Sequence, residues 1–434
     1  MRLWPVLLLS LPCFGSLTFN TSAVDASFFN LTQFASLSLP NSMQQLSDGS
    51  LAVLSSASDL SSGSIVRLVD ANHDGVADGP GTVLYSTNSG PLTGFVKVGD
   101  YYAVGNLGDH TITLLQPGAT PADTMTAVGT LQFTYTADWE HNNVGMAVRP
   151  GSAPGTYDLV VNIGSEFDHQ LSTDTVGLSG AGLLSTILTG DSLYTITIDE
   201  TGATPTASHP QMVVTGIRNV IGMQFDAAGN FYFADNAIDG TGPQGDEPPQ
   251  ADELNYIPAA NFGTLANFGY PTCYIQYRTG TPVDTGGGGC VQPLVAFQPL
   301  DNGTPLGSES EGPGEIALSP SSFPAGFNDG VFVGFAGKPF IGPTNEENAI
   351  VYYDFGTGQY IHFTENSLDG VGRPVGLLST SDALFVSDIL TGQVYEITAA
   401  VPEPSTIGLC SVALLLGWLA LRRRQRGVRQ SELR

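Results

Sequence analysis

The sequence predicts an all-β chain closed into a six-bladed propeller. Three observations lead there. Short apolar runs bounded by Gly, Asp, Asn and Pro recur along the body, the pattern of strands joined by tight turns. The runs come in sets of three, and the set occurs six times between Val24 and Ala400. Charged residues are only 13% of the chain, and no long stretch has the spacing of an amphipathic helix.

In chain order, the first set runs through residues 46–54, with its turn at Asp48-Gly49, and continues into 64–69. The second joins 95–104 to 111–115. The third joins 146–150, 158–163 and 192–198. The fourth is 221–226, a turn at Ala228-Gly229-Asn230, then 231–235 and 252–257. The fifth joins 316–320, 330–334 and 350–354. The sixth is the clearest: 374–378, a turn at Ser381-Asp382, 383–388, a second turn at Leu390-Thr391-Gly392, then 393–397. Meanders repeated in this way stack as blades around an axis and leave only short edges exposed. A β-sandwich accounts for neither the repeat nor the length.

The two ends read differently from the body. Arg2 precedes an apolar segment, 3–14, and small residues follow, with cleavage sites at Thr21-Ser22-Ala23 or Val24-Asp25-Ala26. That is the pattern of a secretory signal peptide, assigned to residues 1–23. At the other end, 401–434, Val401-Pro402-Glu403-Pro404-Ser405-Thr406 precedes an uncharged run, 407–421, and then Arg422-Arg423-Arg424-Gln425-Arg426. Arginines after an apolar span stay on the cytoplasmic face. The tail resembles the PEP-CTERM sorting signal of bacterial surface proteins. The resemblance implies export, transient anchoring in the cell membrane by a C-terminal helix, and recognition by an exosortase at Pro402-Glu403-Pro404, with release to the surface or matrix. A plain anchor does not need that motif, and a span of about 15 residues is short against the roughly 20 needed to cross the hydrocarbon core.

Between the ends, residues 24–400 carry seven cations against 39 acids, a formal balance of −32. Such a surface repels nucleic acid and anionic lipid. Only two cysteines lie in the body, Cys273 and Cys290, on either side of a Gly-rich loop. In an exported protein an isolated pair of this kind reads as a disulfide, and its spacing is not that of a Cys-x-x-Cys redox motif.

Four phrases between the blades carry a second resemblance. They are Glu140-His141-Asn142-Asn143 before 144–150; Gly216-Ile217-Arg218-Asn219; Gly242-Pro243-Gln244-Gly245-Asp246-Glu247 with Asp252-Glu253-Leu254-Asn255 and Phe268-Gly269-Tyr270-Pro271; and Gly372-Arg373-Pro374-Val375-Gly376. Together they resemble the glucose/sorbosone dehydrogenase family, six-bladed propellers that use pyrroloquinoline quinone (PQQ). The resemblance implies His141 as the catalytic base. It implies Arg218, Asn219, Lys338 and Arg373 as quinone contacts, and the carbonyls of Gly242 and Pro243 as calcium ligands. A quinone with three carboxylates needs local cations, and three of the seven body cations are these. Imidazole suits the removal of a hydroxyl proton near neutral pH. A backbone-bonded loop histidine and structural arginines paired to Asp or Glu are the alternatives.

A second calcium candidate is 70–78, with Asp70, Asn72 and Asp74-Gly75 in calcium-loop spacing. Gly81 stands where an EF-hand has Glu, and a solvated turn explains it equally. The chain also departs from the family. Gly145 replaces an arginine, Val220 a proline and Tyr270 a tryptophan, and the Gly/Ser/Thr-rich insert 172–190 has no family counterpart. Two readings stay open: a surface-displayed, PQQ- and calcium-dependent sugar dehydrogenase, or a non-catalytic propeller that binds carbohydrate of an exopolysaccharide matrix. A lactonase-like hydrolase is a third, more distant one.

Overall fold

Each of the six repeats folds as an antiparallel meander, and the meanders close into a six-bladed propeller. The computed structural model describes residues 17–142, 144–239, 249–298, 312–336, 350–366 and 373–400. The innermost strands are Pro40–Gln45, Leu92–Val98, Met146–Pro150, Val220–Phe225, Pro313–Leu318 and Gly376–Ser379. Each packs against the next, and the last packs against the first. The central strands, such as Tyr101–Asn106 and Ala383–Asp388, are buried along their whole length. A blade is covered on both faces by its neighbours, so these strands read as continuous apolar runs rather than alternating ones.

Tight turns at the blade ends follow from Asp and Gly. Asp226 Oδ1 accepts the amides of Ala228 (2.9 Å) and Asn230 (2.8 Å), while Gly229 takes a φ of +85°. A side chain at that φ is strained.

The outer strands come from unexpected places. Phe29–Ser36 pairs with Gln393–Ala399, in register from Phe29↔Ala399 to Ser36↔Gln393, and so the first long strand completes the last blade. Leu17–Phe19 pairs with the outer strand of blade five, and Leu17 and Phe19 are buried there. Among the described residues the first strand is thus Leu17–Phe19, which overlaps the segment 1–23 expected to be a leader. The insert 172–190 forms the hairpin Thr175–Gly180 and Leu183–Thr189. It leaves its own blade and extends blade two to six strands by pairing with Thr126–Tyr135.

The helices among the described residues are two single 3-10 turns, Ala26–Phe28 and Ala259–Asn261. No helix among the described residues is long and apolar enough to cross a membrane. Residues 1–16, the sorting motif Pro402-Glu403-Pro404, the apolar run 407–421 and the arginine cluster lie outside the described residues.

All six inner strands run the same way around the ring, so the segments that enter them share one end of the propeller. His141, Arg218 and Arg373 are on such segments. The loop 69–81 joins the third and fourth strands of blade one and lies at the opposite end. There Asp70 accepts the amides of Asp74 (3.2 Å) and Gly75 (2.9 Å), and Asp78 accepts that of Ala71 (2.7 Å). Its carboxylates thus brace their own turn.

Candidate active site at the entry end of the inner strands

His141 precedes the inner strand of blade three, and its backbone fixes it before its side chain does. Its amide donates to Ser165 O (3.1 Å), and Glu140 N donates to Glu166 O (3.2 Å). Ser165 follows the second strand of the same blade, and its amide donates to Arg218 O (2.8 Å), which ties blade three to blade four. The imidazole Nδ1 lies 2.8 Å from Ser165 Oγ. Burial, helped by the nearby Arg218 charge, pulls the pKa of the ring down to about 3. The imidazole is therefore uncharged at neutral pH, the state a base must start from. An NMR titration should show no protonation of the His141 ring between pH 5 and 8. A midpoint near 6.5 would mean that the ring is solvated and feels no guanidinium.

The two arginines are placed by one repeated device. The second strand of blade four ends at Asp235, whose carboxylate accepts the amides of Arg218 (3.1 Å) and Asn219 (2.8 Å). The second strand of blade six ends at Asp388, which accepts the amide of Arg373 (2.9 Å). In both blades an aspartate at the end of one strand braces the segment entering its neighbour. Burial raises the Asp235 pKa to about 7. Arg373 lines an axial cavity of about 470 Å³, together with Ser42, Phe95, Met146, Glu315 and Leu377. Burial pushes the Glu315 pKa up to about 7, and its carboxyl accepts the Leu377 amide (3.0 Å).

Arg218 does not line that cavity. Its guanidinium is buried and held by two carboxylates: Nε donates to Asp168 Oδ1 (2.8 Å) and Nη2 to Asp239 Oδ2 (2.9 Å), with a further short bond from Nη2 to Asp168. Burial disfavours its charge, but Asp239 and Asp168 outweigh that and keep it firmly protonated. Glu140 stands beside them, and the three carboxylates Glu140, Asp168 and Asp239 have oxygens within 4.8 Å of one another. Burial and then the Asp168 charge raise the Glu140 pKa. Asn219 shares the Asp235 brace, and its carbonyl accepts from Asn236 Nδ2 (2.9 Å).

The departures noted in the sequence have local causes. A Cβ at Gly145 would strike the carbonyl oxygens of Val220 and Ile221 in the next blade, so the position has no room for an arginine side chain. The Tyr270 hydroxyl lies 2.7 Å from Phe167 O and 3.0 Å from Gln170 O, and it pins the loop that carries Asp168. Asp252, from the Asp-Glu-Leu-Asn phrase, accepts the amides of Ala237 (2.8 Å) and Gly312 (3.1 Å) and links blade four to the start of blade five. Cys273 and Cys290 form a disulfide across a separation of 17 residues. Lys338, Gly242 and Pro243 lie outside the described residues.

Asp168, Asp239 and Ser165 went unnoticed in the sequence. Asp235 and Asp388 carried a signal, an aspartate closing the second strand of each of the two clearest repeats.

No protein-family profile and no curated protein matches the sequence. Solved structures do match. The PQQ domain of a pyranose dehydrogenase from Coprinopsis cinerea, in its holo form, superimposes with a TM-score of 0.58 at 16% identity, over 89% of this chain and 98% of that one. Two glucose dehydrogenase structures superimpose with TM-scores of 0.53 and 0.51 at 14% and 13% identity, each over 86% of this chain and 99% of the other. The chain shares their fold. At these identities the likeness is one of architecture, and the chemistry rests on the site itself.

Proposed function

We propose that this protein is an exported, surface-sorted dehydrogenase that oxidises a sugar hydroxyl with PQQ and calcium. The observation that carries the reading is an uncharged, buried His141 at the same end of the ring as two arginines, on a propeller whose structural neighbours include a holo PQQ domain. The donor set suits such a pair of ligands. Guanidinium groups match carboxylates, and the Glu140 carboxylate beside the partners of Arg218 can offer oxygen to a divalent cation. Arg218, Asn219 and Arg373 would hold the quinone, with Lys338 as a further cation. The Gly242 and Pro243 carbonyls would hold the calcium. When bound, the quinone supplies the hydride acceptor.

The work of the chain itself is with the proton. If Nδ1–H donates to Ser165 Oγ, Nε2 keeps its lone pair and takes the proton of the sugar hydroxyl. Ser165 is fixed through its own amide to Arg218 O, so the ring is aimed by the same backbone that sets the arginine. A bound anion would offset the Arg218 field and strengthen His141 as a base. The sorting reading places the mature protein at the cell surface or in the matrix after an exosortase acts near Pro402-Glu403-Pro404.

One observation favours the non-catalytic, matrix-binding alternative: Arg218 already has two carboxylate partners. Titration of the purified protein with PQQ and calcium, read by quinone absorbance and by sugar-dependent dye reduction, separates the two. Saturable binding with dye reduction is the expected result. No binding at micromolar quinone would remove the dehydrogenase reading.

A further inference from the structure

Asp168 occupies one edge of the Arg218 guanidinium. It lies on a loop between the second and third strands of blade three, and the base of that loop is tightly built. Glu166 N donates to Ser172 Oγ (2.8 Å), and the Glu166 carboxylate accepts the amides of Thr173 (2.8 Å) and Asp174 (3.0 Å). Ser172 N and Oγ both donate to Asp191 (2.8 and 2.9 Å). The tip is held by less. The Tyr270 hydroxyl engages Phe167 O and Gln170 O, Asp239 N donates to Asp168 Oδ1 (3.1 Å), and Arg218 takes the Asp168 carboxylate. The base of the loop is therefore a frame, and its tip is latched mainly through one ion pair and one phenol.

We propose that Asp168 is an internal counter-ion that occupies the anion position on Arg218, and that a carboxylate ligand enters only as Asp168 leaves, releasing the loop tip at 167–170. The ligand class rests on the quinone reading above; the latch does not. Asp168 is the better placed of the two partners. Its Oδ1 accepts from both Nε and Nη2 while its Oδ2 lies 2.6 Å from His169 Nδ1, so it occupies the edge to which a carboxylate ligand would bring two oxygens, and its side chain is 17% exposed against 67% for Asp239. An incoming carboxylate cannot share that edge, and like charges so close repel strongly in a half-buried site.

The test uses the whole protein and Asp168→Asn, which keeps the shape and one acceptor while removing the charge. Asp239 remains a partner for Arg218, so the variant should fold. The first readout is amide hydrogen exchange over 166–171 without ligand: Asp168→Asn should exchange at least about tenfold faster than wild type. The second is PQQ affinity with calcium: Asp168→Asn should bind about tenfold or more tighter, as expected for losing one nearby like charge. In wild type, PQQ should raise exchange over 166–171. Unchanged exchange in the variant would overturn the inference whatever the quinone does. Equal PQQ affinity in both proteins would overturn it as well. Faster exchange in the variant with PQQ bound by neither protein would support the latch and instead sink the quinone reading.

Discussion

Replacing His141 by alanine should lower sugar-dependent turnover by about 10²–10⁴, the usual loss when a positioned base is removed. PQQ affinity should stay within about threefold, because His141 offers the quinone no charge. The split between rate and binding is the informative part. A structural histidine, bonded only to Ser165, would lower stability and affinity together when removed. Full turnover by His141→Ala with quinone bound would take the imidazole out of the chemistry. Ser165→Ala should act more weakly than His141→Ala and in the same direction, since Ser165 Oγ acts on the chemistry through Nδ1.

The largest stability effect is expected far from the site, at Phe29. Its ring packs against Phe19, Phe323, Phe327 and Phe363, with centroids 5.2–5.5 Å apart. Phe29 opens the strand that completes blade six, while Phe323, Phe327 and Phe363 belong to blade five. The cluster thus joins the beginning of the chain to its end. Phe29→Ala should cost about 3–5 kcal/mol, as other buried Phe-to-Ala changes do, with a fall in the denaturant midpoint. A loss below about 1 kcal/mol would show that the ring is held shut elsewhere.

The middle strands were legible because neighbouring blades bury both their faces, and sequences such as 383–388 become unbroken apolar runs. The inner strand of blade one, Pro40–Gln45, is polar and mixed in burial, and the first set read from the sequence starts after it. The outer strands were not legible. Phe29–Ser36 is mixed in burial, and its partner lies more than 350 residues along the chain. The hairpin Thr175–Gly180 and Leu183–Thr189 crosses to a blade that its sequence position does not suggest. At the site, the one-ended placement of His141, Arg218 and Arg373 followed from where they stand before inner strands. Asp168 could not be read in the same way. Its role depends on a loop of one blade reaching the arginine of the next, and no spacing along the chain encodes that distance.

The closure of blade six also sets a direction. Gln393–Ala399 starts beside Asp388, at the end that holds His141 and the two arginines, and runs away from it. Its last contact is the bond from Ala400 N to Phe28 O (2.8 Å), on the far rim. Ala400, the last described residue, therefore sits on the propeller's underside. A bilayer or polymer gripping the chain beyond that residue would hold the propeller from below, like a cup on a stem, with its rim open to incoming solutes.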